Sequence, residues 1–133
     1  MDQALRVAMA DYMFNGAAAP TITAAKDIRL FSGNPDAGGT EVTNANGIAR
    51  AAVTAVTWSA AAADAGGESS PVRIENDSGA LSFGTPTNTG TADWFEIHDG
   101  TRRIWVGQLA SALSYVASVP IEAAASQFDL TFA

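Results

Sequence analysis

The sequence contains no cysteine. That excludes disulfides, thiolate nucleophiles and cysteine-ligated zinc together. With a single histidine, His98, any metal would have to be held by oxygen ligands. Positive charge is also scarce: 7 Lys and Arg stand against 14 Asp and Glu, for a formal net charge of −7. Lys26 is the one lysine, and the longest basic run is Arg102-Arg103. Nucleic-acid binders displace counterions with a dense basic surface, so no nucleic-acid partner is expected. Long clean apolar runs are missing too. The stretch "ARAAVTAVTWSAAAADA" is broken by Arg50, threonines and Asp64, so no membrane span is expected. "MDQALRVAMADYMFNG" lacks a basic leader, and the protein is expected to be soluble and unprocessed.

What remains is apolar and short in period. Hydrophobic residues are 47% of 133, enough for one domain with its own core. Leu5, Ala8, Met9, Tyr12 and Met13 recur at spacings of three and four, which predicts an N-terminal helix. Asp2 suits its N-cap and Gly16 its end. From residue 27 the period changes to two. "DIRLFS", "VRIEN", "LSF", "TADWFEIH", "RRIWVGQL", "SYVASVPI" and "FDLTFA" read as strands. "ARAAVTAVTWS" is mixed; its alanines favour helix, but Thr54, Val56 and Trp58 share a face, and we read it as strand. "AAAADAGGESSP" reads as a loop. Roughly eight short strands with regular turns predict a mainly β fold, a jelly-roll-like β-sandwich with a short N-terminal helix. The expected organisation is a helical arm over 1–16 and a sandwich domain over 17–133. The helix could pack on the sandwich or reach a neighbouring subunit.

Candidate chemistry is sparse. "FEIHDGTRRIWVG" places His98 beside Asp99. Neighbours in a strand point to opposite faces, so the two are a poor base and orienter. Asp99-Gly100 is better read as a tight hairpin turn, with His98 half-exposed beside it. No catalytic residue, cofactor site or metal site is expected, and no P-loop or dinucleotide motif is present. "NPDAGGTE" and "ENDSG" offer Asn34, Asp36, Glu41, Glu75, Asn76 and Asp77 as oxygen ligands for calcium, but neither fits an EF-hand loop and both have ordinary turn chemistry. Trp58, Trp94 and Trp105 could form a sugar-binding platform or fill the core.

The order of motifs resembles a family of small tailed-phage and prophage virion proteins, tail-fibre-like in label. The resemblance rests on "YMFNG" ending the helix, "DIRLFSGNPDAGGTEV", Gly47 to Arg50 as G-x-A-R, "TADWFEIHDG", "RRIWVGQL" and "FDLTFA", and spans nearly the whole chain. Relatives carry a glycine-bearing turn before the last strands, where this chain has "EAAASQ". The resemblance implies a structural role in the virion, not an enzymatic one. It fits a capsid decoration (cement) protein that binds the outer shell, or a tail-fibre or baseplate component able to bind host glycan. The expected partners are the major capsid protein and copies of the chain itself, as dimer or trimer, assembled in the host cytoplasm. Decoration is the preferred placement, because the chain has no fibrous repeat and is acidic. Leu5, Met9 and Met13 on the helix, with His98, Arg102 and Arg103 at a rim, are the expected interface residues.

Overall fold

Asp2 and Gly16 bracket α1, Gln3–Asn15. The Asp2 backbone is extended, and its carboxylate accepts from the Ala4 N–H at 2.9 Å, satisfying a donor that a helix start leaves unpaired. Gly16 takes the left-handed conformation, and its N–H donates to the Asp11 carbonyl. The structure, a computed structural model, describes residues 1–21, 26–55, 57–59, 62–63, 72–78, 80–100 and 102–132. Most of the expected loop "AAAADAGGESSP" lies outside the described residues.

The larger sheet is built on β1 (Lys26–Ser32) and β8 (Gly90–Asp99), which run antiparallel with Ile28 opposite Ile97 and Leu30 opposite Phe95. β9 (Arg102–Tyr115) flanks β8, while β2 (Thr40–Glu41) and β3 (Ala51–Ala52) both pair with β1, giving the order β2-β1-β8-β9. A 3-10 turn, Pro35–Ala37, carries the chain from β1 to β2. The stretch read as one strand, "ARAAVTAVTWS", is β3 and β4 (Thr57–Trp58) separated by a 3-10 turn, Val53–Ala55. The Trp58 indole N–H donates to the Val53 carbonyl at 2.9 Å and closes that turn.

The second sheet centres on β6 (Val72–Ser78), with β11 (Asp129–Phe132) on one side and β4 and β5 (Ala62–Ala63) on the other. Leu130 lies opposite Ile74. The alternation read in "FDLTFA" holds where it is described: Phe128 and Leu130 are buried and Asp129 is not. Just before this strand Ser126 adopts φ 59° and donates its N–H to the Asn76 carbonyl at 2.6 Å. A two-stranded ribbon, β7 (Leu81–Ser82) with β10 (Glu122–Ala123), completes the described strands.

β9 joins the two layers. The sequence suggests separate strands at "RRIWVGQL" and "SYVASVPI"; instead one strand of 14 residues runs to Tyr115. It stays continuous by carrying extra residues. Ile97 pairs with Trp105 but His98 with Arg103, so Ile104 is a β-bulge. Further on, Ala92 pairs with Leu113 and Trp94 with Gln108, so β9 bends away from β8 between them. There the Ala110 N–H donates to the Gln127 carbonyl at 3.1 Å.

One apolar core lies between the sheets, formed by Ile28, Leu30, Phe95 and Ile97 from the larger sheet against Phe83, Phe128 and Leu130. Phe95 meets Phe128 edge-on with centroids 5.1 Å apart, and Phe83 lies 6.1 Å from Phe128. The fold is therefore mainly β, a sandwich of antiparallel sheets with one N-terminal helix, as the periodicity predicts.

Candidate functional site

The chain's charged chemistry gathers where α1 meets the β8–β9 hairpin. Glu96 and His98 lie two apart on β8 and so share a face, opposite to Phe95 and Ile97. His98 Nε2 is 2.6 Å from Glu96 Oε2. Arg103, opposite His98 on β9, donates Nη1 to Glu96 Oε1 at 2.9 Å and to Asp36 Oδ1 at 2.7 Å, and Nε to Asp2 Oδ2 at 2.9 Å. The Asp2 N–H donates to the carbonyl of the bulged Ile104 at 2.9 Å. Three carboxylates from three separate segments thus converge on one guanidinium.

One expectation for this stretch is corrected and one holds. His98 is 8% exposed, not half-exposed, because its ring packs beside Glu96 and under the Arg103 network. The tight hairpin turn read at Asp99-Gly100 is present between β8 and β9. Asp99 pairs with Arg102 at the strand end, and Gly100 follows it at φ 62°. Asp99 also accepts from Arg102 Nη2 at 3.0 Å. The His98 carboxylate partner is Glu96, which period-two spacing could have revealed. Asp2 and Asp36 are too distant in sequence for any local signal.

At Arg103 and Asp2, hydrogen bonds outweigh burial. Burial pulls the Arg103 pKa down, but its bonds to Glu96, Asp36 and Asp2 outweigh burial and raise it. Burial pushes Asp2 up, yet hydrogen bonds from Arg103 and the Ala4 N–H bring it below its ordinary value. The same balance lowers Glu41, where burial is outweighed by hydrogen bonds from Arg50 and the Thr43 hydroxyl. Arg50 grips Glu41 through Nε at 2.8 Å and Nη2 at 3.0 Å. His98 Nδ1 is buried without a hydrogen-bond partner among the described residues. The arrangement fixes the ring and ties β8, β9 and α1 together.

The other sequence candidates are placed as follows. Leu5 is 5% exposed and, with Met1, Met9, Val53, Trp105 and Leu130, lines an apolar cleft of about 350 Å³ between α1 and the sheets. Met9 is 36% exposed and Met13 60%. Arg102 is exposed and donates to Asp99 and to the Thr21 carbonyl. Trp105 is buried and Trp58 half-buried on that same cleft, whereas Trp94 lies across from Phe31 on the larger sheet, so the three tryptophans form no common platform. The candidate calcium loops are engaged otherwise. Asn34 accepts from the Asp36 N–H, Glu41 holds Arg50, Asn76 is buried, and Asp77 accepts from Thr57. Among the described residues no group of three or more His, Asp or Glu side chains converges as a metal site.

No curated protein matches the sequence. Residues 1–131 match the family described as podophage GP4 fiber I protein gp80. With its order of sequence motifs and its antiparallel β architecture already on the page, that match over nearly the full length places the chain: it belongs to this family of phage virion structural proteins.

Proposed function

We propose that the protein is a structural subunit of a fibre on a podophage particle, acting by binding and not by turnover. The observation that carries this reading is the family match over residues 1–131, whose description names a fibre protein. The geometry supports a binding role: the side chains of the cleft beside α1 are overwhelmingly apolar, and His98 is enclosed in an ion-pair network that fixes its ring. Attachment would rest on several copies engaging the particle at once, so that modest single contacts add up.

A second reading, capsid decoration, is supported by the net charge of −7, which suits the outer face of a DNA-filled shell, and by the lack of any fibrous repeat. Under it the partner is the major capsid protein. Under the fibre reading, host glycan is a further ligand. Quantitative mass spectrometry of purified particles separates the two. A handful of copies per particle, with antibody label confined to the tail, supports the fibre. Hundreds of copies with label over the shell overturn it in favour of decoration.

A further inference from the structure

Apolar side chains are spread around α1 and not gathered into one stripe. Leu5 packs on the sandwich, but Val7 is 54% exposed and Phe14 81%. At about 100° per residue, Val7 and Phe14 lie on the side of the helix away from Leu5. A helix that is apolar on all sides is normally covered on all sides, and the sandwich covers only one.

The uncovered face has a regular spacing. Gln3, Val7, Ala10 and Phe14 follow intervals of four, three and four, the alternation of a coiled-coil seam, and Gln3 and Ala10 are also exposed. Leu5 and Tyr12 fall at the outermost heptad position relative to that seam, which is why docking on the sandwich leaves it open. Arg6 and Asp11 flank the seam on opposite edges, five residues apart. That offset and those edges bring the two charges together when helices pair in parallel and in register. In antiparallel pairing like edges meet, so the edge carrying Arg6 faces its own counterpart and not the edge carrying Asp11. Among the described residues the Arg6 guanidinium has no ion-pair partner. Asp11 uses Oδ1 to accept from Asn15 Nδ2 at 2.7 Å, so its second oxygen is the one offered to a guanidinium.

We infer that α1 pairs in parallel with α1 of a second copy of this chain through Val7, Ala10 and Phe14, with Arg6 of each copy bonded to Asp11 of the other. A helix this short is marginal alone, but the Asp2 cap and the burial of Leu5 keep it formed before it meets a partner. Parallel helices in register require a rotation axis along the seam, with the sandwiches arranged around it. The inference holds for either placement on the particle.

The full chain supplies the test. Sedimentation should give two or three times the 13.6 kDa of one chain. Val7→Asp should reduce it to one chain with the melting transition retained. Arg6→Glu and Asp11→Arg should each weaken association, and the double variant should regain it. Because the sequence has no cysteine, Gln3→Cys gives a single thiol per chain. Oxidation should cross-link two such chains, whereas antiparallel helices with Gln3 opposite Phe14 would hold the thiols about 16 Å apart. A monomeric wild type, a double variant as weak as either single, or an oligomer that Gln3→Cys fails to cross-link overturns the inference.

Discussion

Asp2 and Arg103, 101 residues apart in sequence, meet with Oδ2 and Nε 2.9 Å apart, and the same Asp2 caps the helix that begins at Gln3. One carboxylate therefore fixes both the start of α1 and its attachment to β9.

The two roles separate by substitution. Asparagine is itself a good N-cap, so Asp2→Asn removes the charge while keeping the cap and should cost under about 1 kcal/mol, whereas Asp2→Ala should cost about 1–2 kcal/mol. Arg103→Met strands Glu96, Asp36 and Asp2 together and should cost more, about 2–3 kcal/mol. Urea unfolding midpoints rank the three. An Arg103→Met protein as stable as wild type would show that the cluster adds nothing.

Acid should weaken the fold in a defined window. Asp2 and Glu41 have folded pKa values below their ordinary 3.8 and 4.5. A lowered carboxylate binds its proton less readily folded than unfolded, so its stabilisation is complete above the ordinary value and drains away as pH falls through the folded one. The urea midpoint should hold steady down to about pH 5 and drop below about pH 4. Asp2→Asn should flatten part of that drop. A midpoint that rises on acidification contradicts the assignment.

Asn76 is 0% exposed and holds the last strand in place. Its Oδ1 accepts from the Phe128 N–H and its Nδ2 donates to the Ala124 carbonyl, both at 2.9 Å. Asn76→Ala should cost about 2–3 kcal/mol by leaving buried groups unpaired. Asn76→Asp keeps the shape but cannot donate, and buries a charge, so its loss should grow as pH rises above the carboxylate range. Equal stability of Asn76→Asp at pH 4 and pH 8 would argue against that role.

Gly107 lies under the Phe95 ring, where an added Cβ would come within 2.9 Å of two ring carbons. Gly107→Ala must displace Phe95, which in turn disturbs its edge-on contact with Phe128. The expected cost is about 1–3 kcal/mol. Gly107→Ala paired with Phe95→Leu should recover part of it, read by thermal melting.

Features decided by neighbouring residues were legible in the sequence. The Asp2 and Gly16 caps follow from local backbone chemistry, and the burial of Phe128 and Leu130 follows from period two. Features decided by pairing were not. That Asp99 faces Arg102 and His98 faces Arg103 is a matter of register, and a register is a property of two strands. Val53 to Ala55 leaves the strand conformation because the Trp58 indole reaches back to it, a contact no pattern encodes. The Ile104 bulge was equally hidden, since nothing in "RRIWVGQL" distinguishes an extra residue from a paired one. Glu96 beside His98 follows from period two, since residues two apart on a strand share a face.

The Ile104 bulge also dictates the order of events during synthesis. α1 leaves the ribosome about 100 residues before the carbonyl that receives Asp2 exists, a delay of about 5–20 s at ordinary elongation rates. Throughout that interval the helix has no sandwich to rest on. Its final seating must wait until the β8–β9 hairpin closes, so docking of this early-made segment is among the last steps of folding.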